Sequence, residues 1–186
     1  SLLRRCCRLR PTPSRCSALR RAPAGLPVLG VCLGHQGLAL HHGLAVERLG
    51  APQHGLVAEV AHDERSRLFA GMPQRFGATR YHSLTVAEPP ADAELRVTAR
   101  CAASGDVLAL EHETAPRFGV QFHPESVATP LGRAIATNFL DVVEAAMAPG
   151  ACARTGLPQV LTSQAIAKAK GSVFRFFPAR ARRRTT

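Results

Sequence analysis

Two long stretches of this 186-residue chain contain no acidic residue: residues 1–25 and 150–186 hold seven and eight Lys or Arg, and neither Asp nor Glu. The middle, 26–149, carries the other nine basic residues against all 13 acids, a net charge of −4. The formal +11 of the whole chain is therefore a property of its ends. The part able to fold lacks the basic stripe that nucleic-acid binding uses, so no nucleic-acid partner is expected. No apolar run approaches the roughly 18 residues that a membrane-spanning helix needs, so no membrane partner is expected either. Among the six cysteines, at 6, 7, 16, 32, 101 and 152, there is no CxxC pair, and no histidine spacing suits zinc. A disulfide framework does not fit a chain of this size and apolar content. Neither a metal nor an organic cofactor is expected.

What the chain does contain is 46% hydrophobic residues, enough for one α/β domain with a substantial core. Residues 1–25 mix Arg, Pro and Cys without helical or strand period. They are compatible with an acid-free transit peptide, hence a plastid or mitochondrial address, and equally with an incomplete or misread start. A thiol working at Cys32 fits a reducing, cytoplasmic setting. The domain proper is expected over 26–148, with a basic and poorly ordered tail over 149–186, in which LPQVLTSQAIAKAK has some helical character.

From Pro27 strands and helices alternate. PVLGV (27–31) is a short continuous apolar run of the kind buried parallel strands show. HQGLALHHG (35–43) predicts a helix closed by Gly43. LAVERLG (44–50), LVAEV (56–60), LRVTAR (95–100), DVLALEHE (106–113) and FGVQFH (118–123) predict strands. RFGATRYHSLTV (75–86) predicts two strands broken near His82 and Ser83, and RSRLFAGMP (65–73) one helical turn. The longest helix is predicted over 129–147, with Leu131, Ile135, Phe139 and Val143 on its buried face.

Two motifs carry chemistry. Gly30-Val31-Cys32-Leu33-Gly34 directly follows an apolar strand and has the glycine–nucleophile–glycine form of a strand turning sharply into a helix. Such a turn places the thiol at a helix start, where the dipole and backbone N–H groups favour thiolate. The N–H of Leu33 then points to an oxyanion forming on an attacked carbonyl. The competing reading is a structural cysteine between two convenient glycines. The second motif, Gly119-Val120-Gln121-Phe122-His123-Pro124-Glu125-Ser126, ends a strand in a histidine and a carboxylate two residues apart. A thiol nucleophile needs a base for its proton, and the base needs an acceptor to fix its tautomer. His123 and Glu125 suit those parts. His41, His42, His62, His82 and His112 receive no chemical role.

GVCLGHQ and GVQFHPES resemble the two signatures of the class I (triad) glutamine amidotransferases over roughly residues 26–143. The resemblance implies the family's three-layer, flavodoxin-like fold with a mostly parallel sheet. It implies that Cys32 attacks the side-chain amide of glutamine, with His123 and Glu125 completing the triad. Arg80-Tyr81-His82-Ser83-Leu84 is similar to the RYHSL segment of the chorismate-using members, the glutaminase components of aminodeoxychorismate and anthranilate synthases. In that group the Ser-Leu backbone and the elbow glutamine hold the substrate, which here means Ser83, Leu84 and Gln36 beside Leu33. Pro52-Gln53-His54-Gly55 looks like the group's loop near the synthase partner. The implied function is to hydrolyse glutamine and deliver ammonia to a chorismate-using synthase, a separate chain or a fused domain. GHQGLAL favours para-aminobenzoate formation over the anthranilate alternative.

The family's opening strand, DNYDSF-like segment and Gly-rich PGPG loop have no counterpart in residues 1–25. That loop ordinarily supplies a second oxyanion donor. The departure raises the alternative of an inactive, amidotransferase-like binding module. A γ-glutamyl peptidase on the same fold is a further alternative, against which RYHSL argues.

Overall fold

A computed structural model describes Leu19 and residues 22–148; the expectations for the Arg-rich start and for the 149–186 tail with its helical stretch lie outside the described residues. The elements are β1 (Val28–Val31), α1 (Leu33–His41), β2 (Val46–Arg48), β3 (Leu56–His62), a 3₁₀ turn (Arg67–Phe69), β4 (Arg75–Arg80), β5 (Leu84–Val86), β6 (Leu95–Cys101), β7 (Val107–His112), β8 (Arg117–Val120) and α2 (Gly132–Ala146). Six strands form one sheet in the order β1-β8-β7-β6-β3-β4, and β2 pairs with β5 in a separate two-stranded sheet.

The α/β class is as expected, but the sheet is mixed. Among the described residues only β1 and β8 run parallel; the pairs β8–β7, β7–β6, β6–β3 and β3–β4 are antiparallel. Connection length is the reason. Residues 102–106 join β6 to β7 and 113–116 join β7 to β8, and a parallel crossover needs a dozen residues or more. Ser104-Gly105 makes the first of these turns, with Gly105 at φ +75°.

Alternation along β1 and β8 sorts side chains onto two faces. Phe118 and Val120 of β8 are fully buried in a core cluster with Leu108, Phe122, Ile135 and Val142, and Leu29 and Val31 of β1 pack against it. On the opposite face lie Gly30 and Gly119, register partners across β1–β8. Helix α1 sits directly on them. A β-carbon on Gly30 would lie 2.5 Å from the Gly34 backbone, and one on Gly119 would lie 2.7 Å from Nδ1 of His35. The two glycines let α1 seat against the sheet (close approach that any side chain prevents). Leu38 and Ala39 of α1 then bury with Leu44, Val86, Leu95 and Leu110 in a second cluster.

Helix α1 ends as predicted, with Gly43 at φ +78° and the Gly43 and Leu44 N–H groups bonding back to Leu40 and Ala39. Helix α2 is shorter than predicted. Its buried positions are Gly132, Ile135 and Val142, with Leu131 and Phe139 packed at the margin. Val142 replaces the expected Val143. Three successive four-residue steps drift about 120° around a helix, whereas a last step of three returns to within about 20° of the starting face. Asn138 Nδ2 ties α2 to the 3₁₀ turn through the Leu68 and Ala70 carbonyls, at 3.0 Å each.

Candidate active site

Because β1 and β8 are parallel neighbours in register, Val31 opposite Val120, the segments leaving both strands emerge at the same edge of the sheet. After β1 comes Cys32, whose N–H donates to the Val120 carbonyl at 2.8 Å. Its backbone lies at φ 51°, ψ −100°, and it is the only non-glycine with positive φ among the described residues. Such a conformation costs about 1–3 kcal/mol and persists only where the surroundings impose it. Cys32 also caps α1. No side chain caps this helix and no acid stands in its first turn, so the N–H groups there are open to an anion in front of Cys32.

After β8 the chain leaves the sheet earlier than predicted. The N–H of Gln121 bonds to Leu108 O at 2.8 Å and that of His123 to Thr79 O at 3.0 Å, which draws the segment across toward β4. Thr129 Oγ1 then bonds the His123 carbonyl at 2.8 Å and accepts from the Thr79 N–H at 3.0 Å, clamping the loop. His123 Nδ1 meets Glu125 Oε1 at 2.6 Å, and the Tyr81 ring packs edge-on against the imidazole at 5.3 Å. The His123 pKa is raised to about 9; the Cys32 thiol is the largest cause and Glu125 adds to it, while burial opposes both. Nε2 is buried without a close, well-angled partner, so the hydrogen bond to Cys32 that raises the pKa is a loose one, with charge adding to it. The Cys32 thiol, the His123 imidazole and the Glu125 carboxylate are thus neighbours at this edge of the sheet. Such a set can attack a carbonyl and shuttle the proton to a leaving amine.

The remaining predicted residues lie alongside. Leu33 begins α1 and is 43% exposed. Gln36, one turn on, is buried and reaches the Leu84 carbonyl at 3.4 Å, joining the elbow to the Arg80–Leu84 segment. Ser83 precedes Leu84, its carbonyl accepting from the Leu49 N–H at 3.0 Å. The 52–55 loop runs along this segment, with Gln53 N–H bonded to His82 O and Gly55 N–H to Arg80 O.

Three features were not read from the sequence. Gln121 is wholly buried and directs Nε2 to Cys32 Sγ at 3.6 Å. Its signal was a polar residue sharing parity with Gly119, between Val120 and Phe122, which point into the α2-side core. The second is a buried group in which Arg80 links Asp106 to His82. Burial is the main reason the His82 pKa falls to about 4. The third is His35, fully buried on the sheet-facing side of α1 beside Gly119, its pKa pushed down to about 3 by desolvation.

One cluster has the makings of a metal site. His42, Glu94 and His112 bring ligand atoms within 4.8 Å of one another. Nδ1 of His112 accepts from the Thr114 and Ala115 N–H groups at 3.1 and 3.0 Å, which leaves its proton on Nε2. Nε2 of His42 faces the Arg117 guanidinium at 3.5 Å, so its Nδ1 carries the proton toward Glu94 at 2.7 Å. Both inward nitrogens therefore carry protons, His42 donating to Glu94 and His112 facing it at 3.9 Å, the wrong state for metal ligation.

A strained thiol elbow and an imidazole–carboxylate pair, each just past the end of one of two adjacent parallel strands, sit together at one edge of an α/β sheet. The family model described as glutamine amidotransferase class-I matches residues 10–143, and the chain belongs to that family. It is 51% identical over 119 residues to an aminodeoxychorismate synthase of Streptomyces griseus, covering 64% of this chain and 16% of that protein. It is 48% identical over 114 residues to anthranilate synthase component 2 of Methanothermobacter marburgensis, covering 61% of this chain and 57% of that one. The chain thus spans only part of these relatives, about a sixth of one and somewhat over half of the other. Among solved structures, a Thermoplasma acidophilum protein provisionally named as one subunit of GMP synthase matches with a TM-score of 0.64 at 28% identity, over 71% of this chain and 63% of that one.

Proposed function

We propose that the chain is the glutaminase part of a chorismate-using amidotransferase, with aminodeoxychorismate rather than anthranilate as the aminated product. The observation that carries this reading is the convergence of Cys32, His123 and Glu125 where β1 and β8 end. In the proposed reaction the Cys32 sulfur attacks the carboxamide carbon of glutamine and His123 holds the thiol proton. The N–H of Leu33 stabilises the oxyanion, and His123 returns the proton to the departing nitrogen, releasing ammonia and a glutamyl thioester. Water, activated by the same imidazole, then cleaves the thioester to glutamate and restores the thiol. Glu125 fixes the His123 tautomer and supports its cation. Gln36 and the Ser83–Leu84 backbone hold the substrate.

Ammonia released into water is protonated and no longer nucleophilic, so the chain works against a synthase component that takes it up directly. Similarity to both aminodeoxychorismate and anthranilate synthases supports that partner class, and the slightly higher identity to the former supports the product. The setting proposed is the cytoplasm; among the described residues no helix is long and apolar enough to cross a membrane. The test is glutamine hydrolysis by the full chain with and without an aminodeoxychorismate synthase component. Activity should rise with the partner and vanish in Cys32→Ser. Hydrolysis that persists in Cys32→Ser overturns the assignment, and stimulation by an anthranilate synthase component alone moves the product to anthranilate.

A further inference from the structure

The Cys32 sulfur has a polar neighbour besides the imidazole, the side-chain amide of Gln121 at 3.6 Å. Which end of an amide faces a neighbour is ordinarily an assignment rather than an observation. Here the surroundings decide it. Arg80 can only donate; one guanidinium nitrogen is held by Asp106 at 2.7 Å, and Nε meets His82 Nε2 at 3.0 Å. His82 therefore accepts at Nε2 and carries its proton on Nδ1, which donates to the Leu84 carbonyl at 2.7 Å. That carbonyl can only accept, so the end of Gln36 that reaches it at 3.4 Å is the amino end. The same Gln36 nitrogen lies 2.9 Å from Gln121, which must present its oxygen there. The amino end of Gln121 is left facing the sulfur.

We propose that Gln121 is a catalytic residue whose amide N–H donates to the Cys32 sulfur and favours thiolate over thiol. Gln36 acts behind it as a positioning residue, its amide direction fixed by the Leu84 carbonyl, which can only accept. A hydrogen bond to a charged acceptor is worth more than one to a neutral acceptor, so the donor discriminates between the two states of the sulfur. The ionisable groups around the sulfur are His123 with Glu125 behind it, buried His35 on α1, and His82 with Arg80 and Asp106 across the β4–β5 segment. None of them changes in the substitutions below.

The inference rests on Cys32 being the nucleophile, and the test separates the two. Gln121→Leu removes the donor at similar bulk, and Gln121→Glu keeps the shape while replacing the N–H with an acceptor. Iodoacetamide alkylation of the full chain is followed against pH at the Cys32 peptide by mass spectrometry, so the other cysteines do not contribute. In both variants the half-maximal pH should rise by about one unit, and the rate at neutral pH should fall about tenfold. Glutamine turnover should fall in kcat with KM little changed. An alkylation profile unchanged in either variant that melts like the parent shows Gln121 to be packing only, whatever Cys32→Ser does to hydrolysis. If hydrolysis survives Cys32→Ser, the glutaminase reading falls independently of the alkylation result.

Discussion

Replacing Gly30 with Ala adds one methyl group on the α1 face of β1. Its β-carbon would stand 2.5 Å from both C and O of Gly34 and 2.9 Å from the His35 nitrogen. All three are backbone atoms of the first turn of α1, so no rotamer change relieves the contact. Restoring the ordinary 3.4 Å contact distance requires the start of the helix to lift by about 0.9 Å. Overpacking of this kind costs about 1–3 kcal/mol, and a clash with rigid backbone belongs at the upper end. At about 2–4 °C per kcal/mol, melting should fall by roughly 6–12 °C. Because Cys32 and Gln36 ride on the displaced turn, turnover should drop by about a hundredfold as well, the usual consequence of a 1 Å misplacement. Gly119→Ala should be milder, since its closest contact is the His35 ring nitrogen at 2.7 Å, a side chain able to yield. Gly34→Ala is the internal control: nothing lies within 4 Å of its β-carbon, and in a helix the change should be neutral or stabilising by up to about 1 kcal/mol. Thermal melting by circular dichroism and glutamine hydrolysis read the series. A Gly30→Ala protein that melts like the parent, or a Gly34→Ala protein as damaged as Gly30→Ala, would refute the close-seating argument.

The raised pKa of His123 makes stability depend on pH in a defined window. The folded-state value of about 9 lies above the ordinary 6.5, so the contribution is complete below about 6.5 and is lost as pH climbs from there through about 9. Urea denaturation should show that decline, and in Glu125→Gln both the ring's NMR titration midpoint and the upper end of the window should move down; an unmoved midpoint would remove Glu125 as a partner. Arg80→Met leaves buried His82 without its donor while Asp106 keeps only the Ser104 hydroxyl, and should cost about 1–3 kcal/mol. Arg80→Lys should not rescue it, because a single ammonium cannot reproduce the fork that spans both partners; wild-type urea stability for the lysine variant would sink this account.

The elbow at Cys32 and the His123–Glu125 pair were legible because each is a local device. The first needs small residues around a nucleophile after an apolar strand, and the second needs an acceptor two residues from a base. Most strands were legible for a similar reason, since apolar runs such as VLALEH, buried, and VLGV, mostly half-buried, show in composition alone. Strand direction was not. The resemblance led to a mostly parallel sheet, whereas the short 102–106 and 113–116 connections force hairpins. Nor did period alone locate the last buried position of α2, where a three-residue step selects Val142.

The sequence by itself determined which residues can do chemistry: a thiol at the mouth of a helix, a base with its acceptor, and Gly30, which lets the helix start close to the strand. Those follow from bonding and sterics within a few residues. Only the tertiary structure decided what surrounds them. Gln121 meets the Cys32 sulfur, and the direction of its amide is set by the Leu84 carbonyl acting through Gln36, both tens of residues away in the chain. Hydrogen-bond polarity is a property of an assembled network, in which an obligate donor at one end and a carbonyl within it fix every group that has a choice, and no local pattern encodes it.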